Sequence, residues 1–220
     1  RGIFGLHASY SLSAETLERS SEVGNALNAG FHIHMAESEA DVSDCYRRFD
    51  MHVVERLQRA GILGERTITA HNVHLKPRHF GILRDSGVTA AHNVQSNTNT
   101  AVGICPVVPL MDAGVHVALG GDGYTYDLFT ELGFASIQQH IGQNDCSVFS
   151  GKQILDMAFT NNQRLAKRIF GYEVGVLRPG AVADFLILDY DPPTPLHAGN
   201  VLSHMTSGFS GHVNTVVCDG

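Results

Sequence analysis

The feature that most constrains the fold is a repeated order of short apolar strand, polar residue at the strand end, and helix. Five strand ends carry a histidine or an aspartate: His7, His34, His71, His92 and Asp122. They follow one another at intervals of 27, 37, 21 and 30 residues. A (β/α)8 barrel of about 250 residues gives roughly 31 residues per strand–helix unit. The intervals therefore predict parallel strands joined by crossover helices.

Two parallel architectures fit this order, a (β/α)8 barrel and an open doubly wound sheet. The nucleotide-binding form of the second places a G-x-G-x-x-G turn after a strand, and no such turn is found here. In a barrel the carboxyl ends of all strands open on one face, so side chains far apart in sequence meet there. The barrel is therefore the preferred interpretation, with five units over about residues 1–140.

Hydrophobic spacing and turn residues predict the other elements. The predicted helices cover residues 13–28, 40–48, 52–60, 77–85, 106–113, 128–140, 151–159 and 162–169. Two further strands are predicted over residues 183–189 and 213–218. The chain opens without an initiator methionine and closes in a strand, so we expect it to be part of a larger protein.

Composition excludes several classes of partner. The formal net charge is −7 and no basic stripe offsets it, so no nucleic-acid partner is expected. No run of about 18 apolar residues is present, so no membrane partner is expected either. The four cysteines form no C-x-x-C pair, which favours a reducing, cytoplasmic setting. The 13 histidines are the unusual count, because histidine is a common metal ligand.

The segment from His34 to Glu37 is the most informative part of the pattern. Side chains alternate along a strand, so His32 and His34 share a face, with His34 nearer the open end. Glu37 lies where the strand gives way to a loop and can turn back over the same face. His34 is therefore a candidate metal ligand, with the carboxylate of Glu37 close to it.

Two later strand ends add candidates. His71 is interpreted as a group that orients water or acts as an electrophile. Asp122 lies between glycines, which permit a sharp backbone and let its carboxylate approach a metal or a water closely. The polar segment 92–97 either lines the pocket or has no role, and the sequence leaves this open.

With these residues in hand, the chain resembles the amidohydrolase superfamily, in the aminohydrolase branch of guanine and cytosine deaminases, triazine hydrolases and adenosine-analogue deaminases. The motifs that carry the resemblance lie at residues 5–13, 32–38, 70–75, 92–97 and 119–123, with a tail at 175–189. Residues 191–196 are most similar to the SsnA group of aminohydrolases. The resemblance covers essentially all 220 residues.

The resemblance implies an α/β fold: the C-terminal part of a (β/α)8 TIM-type barrel, about strands 4–8, plus C-terminal strands of a small β-sandwich. Residues 1–178 would form the partial metal-dependent hydrolase barrel with its C-terminal helices. Residues 179–220 would form the returning strands of the sandwich.

The resemblance also implies a role for each matched residue. His34 and Asp122 would be metal ligands, Glu37, His71 and Asp122 catalytic, and His7 a substrate contact. One divalent metal ion is implied, Zn²⁺ with Fe²⁺ as the alternative, because the strand that ends at His7 has no lysine to bridge a second ion. The chain departs from the pattern in two ways: Gly121 replaces a common threonine before Asp122, and the paired H-x-H histidines of strand 1 are absent.

The implied reaction is hydrolytic deamination of an amino-substituted N-heterocycle, a purine, pyrimidine or triazine, by hydroxide on the metal. The partners implied are this small heterocyclic substrate and a second copy in a homo-oligomer, a dimer of the full-length protein. Two alternatives stay open. One is hydrolytic dechlorination on the same fold, and the other is a non-catalytic fragment without the N-terminal metal ligands. The 220-residue chain alone is expected to be inactive.

Overall fold

Five parallel strands make the main sheet in the part of the chain that the structure describes, residues 2–123, 125–207, 209 and 211–220. In the computed structural model they are β1 (Phe4–Ala8), β2 (Phe31–Met35), β3 (Ile68–His71), β4 (Thr89–His92) and β5 (His116–Leu119). They pair in chain order, and every neighbouring pair is parallel. A barrel requires sequential order, whereas a doubly wound sheet reverses it. The predicted C-terminal part of a (β/α)8 barrel is confirmed.

Helices connect the strands and cover one face of the sheet. Those between β1 and β5 are α1 (Ala14–Ala26), α2 (Glu39–Phe49), α3 (Val53–Arg59), α4 (Pro77–Ser86), α5 (Val94–Asn99) and α6 (Val107–Asp112), with a 3₁₀ turn at Ser9–Ser11. After β5 come α7 (Leu128–Gln143), α8 (Gly151–Leu155), a π-helical turn at Asp156–Asn161, α9 (Asn162–Phe170) and α10 (Val201–Thr206). The predicted helices agree to within a few residues at most ends, while α5 and α10 were not predicted.

Local chemistry explains where several helices begin and end. Ser13 Oγ accepts the amide N–H of Thr16 at the start of α1. The side chain of Ser38 accepts the amide N–H of Asp41 at the start of α2. Each cap satisfies one of the amides that a helix N-terminus leaves without an intrahelical partner. Gly87 ends α4 in the left-handed conformation, with φ at +71°.

The apolar core lies between the sheet and the helices. Ile33 and Met35 of β2 and Leu83 of α4 are fully buried there. On the other face of the sheet, His7 and His32 are exposed. A closed barrel would enclose this second face, because the inward side chains of all its strands fill the interior. The sheet therefore has one dry, helix-covered face and one open face.

The outer edge of β5 is covered by side-chain amides. Asn161 Nδ2 donates to the carbonyl oxygen of Val117 at 2.7 Å, and Asn162 Nδ2 donates to that of Leu119 at 3.1 Å. The amide of Gly120 instead donates to His92 of β4, so alternate carbonyls of β5 face the edge. The two asparagines thus satisfy carbonyls that would otherwise invite pairing with another strand.

An antiparallel ribbon closes the chain, formed by β6 (Phe185–Asp189) and β7 (His212–Val217). Both strands lie where the sequence predicts them, and most of their side chains are exposed. The division between residues 178 and 179 stays a prediction. Among the described residues no helix has the length and apolar character needed to cross a membrane.

Candidate active site at the carboxyl ends of the strands

Four of the predicted site residues come together at the carboxyl ends of β2, β3 and β5. The rings of His34 and His71 stack, with centroids 5.3 Å apart and planes inclined by 25°. His71 Nε2 lies 3.7 Å from Glu37 Oε2 and 3.7 Å from Asp122 Oδ2. Both distances are too long for a direct hydrogen bond. One imidazole nitrogen therefore faces two carboxylates.

His34 is held by the backbone of the neighbouring strand. Its Nδ1 lies 2.8 Å from the carbonyl oxygen of His7. A carbonyl oxygen only accepts hydrogen bonds, so Nδ1 carries the proton and Nε2 has a free lone pair. Metal-binding histidines are commonly oriented by such a bond from the other ring nitrogen.

His7 lies beside this group on the open face. Its ring centroid is 5.4 Å from that of His34, and its Nδ1 is 2.7 Å from Ser11 Oγ. The side chain is exposed, unlike that of His71. It is therefore accessible to a small molecule that enters from the open face.

His71 is fixed by a residue that the sequence did not single out. Its Nδ1 donates to Asn97 Oδ1 at 2.8 Å, and both side chains are buried. Because this bond occupies Nδ1, Nε2 is the nitrogen that faces Glu37 and Asp122. Nothing in the segment 92–97 indicated which of its polar residues would make this contact.

Asp122 is held in the ionised form by two hydrogen bonds. Burial raises the pKa of this carboxyl, but the bonds from Ser96 Oγ to Oδ2 and from the Gly123 amide to Oδ1, each 2.6 Å long, outweigh it and lower the pKa. The nearby rings of His71 and His34 lower it further. A carboxylate with a low pKa is available as a ligand and as a proton acceptor near neutral pH.

The backbone turns sharply where these side chains leave their strands. Four non-glycine residues there have positive φ: Ala36 at +50°, His71 at +72°, Asn72 at +56° and Asp122 at +57°. This left-handed conformation costs roughly 1–2 kcal/mol per residue. Such strain clusters at functional sites, where the surrounding structure maintains it. It also redirects His71, which is paired with the core residue Met35 in the sheet register.

Gly120, before Asp122, is required by close packing rather than by a sharp backbone. The left-handed residue of this turn is Asp122 itself, not Gly120 or Gly121. A Cβ on Gly120 would lie 2.2 Å from Asn93 Oδ1. Gly120 is therefore needed for close packing against Asn93, and the expectation that it relieves a sharp backbone is wrong.

Glu131 of α7 anchors the helix that carries Ser96 and Asn97. Its carboxylate is fully buried and accepts the amide N–H of Gln95 at 3.2 Å and Gln95 Nε2 at 3.1 Å. Burial raises the pKa of Glu131, and the hydrogen bonds partly offset this. The N-terminus of α5 is thus fixed by a side chain 36 residues away, a contact that no local pattern reveals.

His92 is completely buried, and burial lowers its pKa to about 3, so the ring is neutral at physiological pH. Neither of its ring nitrogens has a hydrogen-bond partner among the described residues. In the same segment Ser96 and Asn97 hold Asp122 and His71, so part of segment 92–97 supports the site.

The metal-ligand set in this chain is incomplete. Within the described ranges no group of three or more His, Cys, Asp or Glu side chains could hold a metal ion. Catalytic zinc sites usually have three protein ligands and one open position. His34 and Asp122 offer two donors of suitable chemistry, and their role as ligands stays a prediction.

Known proteins match this chain throughout its length. The model described as the amidohydrolase family matches residues 2–220. The 5'-deoxyadenosine deaminase of Methanothermobacter thermautotrophicus is 35% identical over 225 residues, which cover 100% of this chain and 52% of that protein. The 5-methylthioadenosine/S-adenosylhomocysteine deaminase of Thermococcus onnurineus is 32% identical, over 99% of this chain and 52% of that protein.

A solved structure agrees with the sequence matches. The adenosine deaminase from Xanthomonas campestris, crystallised with bound zinc, superimposes with a TM-score of 0.88 at 27% identity. The match covers 99% of this chain and 50% of that one. The chain therefore spans about half the length of the curated relatives it matches.

Proposed function

This chain belongs to the amidohydrolase family, and from that premise we propose that it forms the C-terminal catalytic part of a metal-dependent aminohydrolase. The reaction is hydrolytic deamination of an amino-substituted N-heterocycle. The observation that carries the proposal is the position of His71 Nε2, 3.7 Å from each of the carboxylates of Glu37 and Asp122. Two carboxylates near one imidazole nitrogen can supply a proton acceptor and a proton donor to the same bound molecule.

His34 and Asp122 have the donor atoms of two ligands of a zinc site. His34 offers Nε2, because its Nδ1 is occupied by the His7 carbonyl, and Asp122 offers an ionised carboxylate. Nitrogen and oxygen donors of this kind suit Zn²⁺, with Fe²⁺ as the alternative. The zinc in the related adenosine deaminase supports the first choice. When bound, the ion supplies Lewis acidity that lowers the pKa of a water ligand from 15.7 to about 7.

The protein side chains handle the protons. Asp122 takes the proton of the attacking water, because its carboxylate is ionised and lies beside His71 Nε2. Glu37 protonates a ring nitrogen next to the carbon under attack, which makes that carbon more electrophilic. His71 orients the water by accepting its hydrogen bond at Nε2; with both ring nitrogens protonated it would donate to the developing oxyanion. Asp122 passes the water proton to the leaving amine, Glu37 recovers a proton from the hydroxyl as the carbonyl forms, and the C–N bond breaks with release of ammonia.

The substrate we favour is an adenine nucleoside with a modified 5' position. Two of the relatives above 30% identity are named for deamination of 5'-deoxyadenosine and of 5-methylthioadenosine or S-adenosylhomocysteine. These names favour ammonia over chloride as the leaving group. His7, exposed beside His34, is the substrate contact that this chain contributes.

Ammonia release by the whole native protein tests the proposal. With zinc present, we expect ammonia from 5'-deoxyadenosine, 5-methylthioadenosine or S-adenosylhomocysteine, and less from guanine, cytosine and aminotriazines. Chloride release from a chlorinated triazine without ammonia from any substrate would support dechlorination instead. Absence of both products would reject a hydrolase of either kind.

The isolated 220-residue chain provides a second comparison. Two ligands without their partners bind a metal weakly, so we expect this chain alone to be inactive. Metal analysis separates the remaining alternative: under about 0.1 metal ion per chain in the whole native protein would favour a non-catalytic remnant. A cytoplasmic location, dimer formation, the likeness to the SsnA group and the sandwich formed by residues 179–220 stay predictions.

A further inference from the structure

Asp41 of α2 is a buried carboxylate that lies outside the group of site residues. Its side chain is 2% exposed. Oδ2 accepts the amide N–H of Ala36 at 3.0 Å, and Oδ1 accepts the amide N–H of Tyr10 at 3.2 Å. The first amide immediately follows β2, and the second belongs to the turn that follows β1. One carboxylate thus ties together the carboxyl ends of two neighbouring strands.

The amide of Ala36 is a sensitive point of the site. Ala36 has φ at +50°, a left-handed conformation that is strained for an alanine. Its carbonyl oxygen accepts the amides of Val73 at 3.1 Å and His74 at 2.9 Å, in the loop that follows His71. Glu37 is the next residue. The orientation of the Ala36 peptide groups therefore sets the direction in which Glu37 leaves the strand.

Arg56 is a second buried charge, and it holds the turn that follows β1. Arg56 of α3 donates from Nη1 to the carbonyl oxygen of Ser9 at 2.6 Å and from Nη2 to that of Leu12 at 2.9 Å. Burial raises the pKa of Asp41, while the two amide bonds and the charge of Arg56 lower it. A buried carboxylate costs stability unless it is paired and hydrogen-bonded. The cost of burying the Asp41 carboxylate is compensated only while it accepts hydrogen bonds from both amides.

We infer that Asp41 is a positioning residue that orients Glu37 through the Ala36 peptide and holds the turn after His7 beside it. The two oxygens of a carboxylate accept both N–H groups at once. An asparagine would place its NH₂ group against one of them. The effect of Asp41 on the reaction rate rests on the proposed function. Its hydrogen bonds to the amides of Ala36 and Tyr10 do not.

The kinetic test compares Asp41→Asn with Asp44→Asn in the zinc-loaded whole native protein. Asp44 lies on the same helix and pairs with Arg48 at 3.1 Å; Arg48 donates to the carbonyl oxygen of Tyr10, but Asp44 accepts neither the Ala36 amide nor the Tyr10 amide. We expect Asp41→Asn to lower kcat by about 10- to 100-fold, because a misplacement of about 1 Å can cost about 10²-fold. KM and zinc content should change less than twofold, and Asp44→Asn should behave like the unaltered protein.

A double variant distinguishes positioning from a general loss of structure. If Asp41 acts through Glu37, Asp41→Asn adds no more than about twofold to the loss caused by Glu37→Gln, because the two residues act as a unit. Losses that multiply would overturn the inference. Asp41→Glu, which keeps the charge but moves it by one methylene, gives a second variant if Asp41→Asn does not fold, and the same expectations apply to it.

Hydrogen exchange supplies a readout that needs no activity. In Asp41→Asn the amide of Ala36 or of Tyr10, or both, should exchange at least about tenfold faster than in the unaltered protein, because one acceptor is lost. Asp44→Asn should leave both rates unchanged. Unchanged exchange in Asp41→Asn would overturn the inference even if turnover fell. If the unaltered protein released no ammonia, the proposed function would be rejected. The exchange rates would still decide whether Asp41 holds the amides of Ala36 and Tyr10.

Discussion

Glu37 and Asp122 each lie 3.7 Å from His71 Nε2 and are similarly exposed, at 34% and 31%, but their hydrogen bonds differ. Asp122 accepts two hydrogen bonds that lower its pKa, whereas Glu37 makes none to the described residues. A carboxylate held ionised suits a proton acceptor. The difference between the two carboxylates supports the roles proposed for them.

Removal of either charge should stop turnover. We expect Asp122→Asn to abolish ammonia release and Glu37→Gln to lower kcat by about 10²–10⁴-fold, the usual contribution of general acid–base catalysis. Glu39→Gln is the matched control, since Glu39 is 77% exposed and pairs with His74 instead. Near-normal kcat in both site variants would refute the roles assigned to these carboxylates.

The pKa of Asp122 should depend on Ser96. The Ser96 hydroxyl donates to Oδ2 and favours the ionised form, so Ser96→Ala should raise the pKa of Asp122. Carbon-13 NMR of the Asp122 carboxyl group in metal-free protein measures this directly. Ser86→Ala, at a hydroxyl bonded to the Ile82 carbonyl of α4, should leave the value unchanged. A fall, or no change, after Ser96→Ala would contradict this account.

The sequence predicts the residues that do chemistry better than the residues that hold them. His34, Glu37, His71 and Asp122 could be found because each lies at or just beyond the end of an apolar strand. Partners such as Asn97 and Asp41 could not, since their hydrogen bonds span 26 and 31 residues. Their positions depend on how the helices pack, which periodicity does not encode.

The turn before β2 depends on a glycine with no room for a side chain. A Cβ on Gly30 would lie 1.9 Å from the backbone carbonyl oxygen of Arg66, whereas one on Gly64 would meet nothing within 4 Å. We expect Gly30→Ala to lower the free energy of unfolding by about 1–3 kcal/mol, the usual cost of overpacking. Gly64→Ala is the matched control and should change it by less than about 0.5 kcal/mol. Equal effects in urea unfolding would show that this close approach does not limit stability.

Long periodic elements could be predicted, and short ones could not. Strands β1 to β5 and helices α1 to α4 follow from apolar spacing and caps such as Ser13. Helix α5 has only six residues, too few to be stable alone, and Glu131 from α7 fixes its first turn. The π-helical turn that covers the β5 edge has no sequence signal of its own. Tertiary contacts decide these elements.

Buried neutral histidines should make the whole molecule sensitive to acid. Burial lowers the pKa of His116 to about 4, and the charges of Arg168 and Arg164 lower it as well. An unfolded histidine takes up its proton near pH 6.5, so stability is present above that pH and is lost as the pH falls toward 4. His79, at about 4, and His92, at about 3, act in the same direction.

One substitution isolates part of this acid sensitivity. His116→Asn keeps an acceptor for Thr89, whose hydroxyl lies 3.0 Å from Nδ1, but cannot be protonated. The loss of unfolding free energy between pH 7 and pH 5 should therefore shrink by about 1–2 kcal/mol. His212→Asn, at a ring that is 76% exposed, should leave it unchanged. A loss that is as large in His116→Asn as in the unaltered protein would contradict the burial argument.

The five-stranded sheet presents half of a site on an open face. His34, His71 and Asp122 all reach this face from different strands, and the chain spans about half the length of its curated relatives. Catalytic zinc sites usually have three protein ligands, and the described residues offer two donors of suitable chemistry here, His34 and Asp122. The central claim is that His34 and Asp122 bind the same ion.

Anomalous diffraction at the zinc edge from the zinc-loaded whole native protein tests that claim most directly. The account predicts one peak at about 2.0–2.2 Å from both His34 Nε2 and an oxygen of Asp122. A zinc ion bound elsewhere, or one that contacts only one of these two side chains, would contradict it.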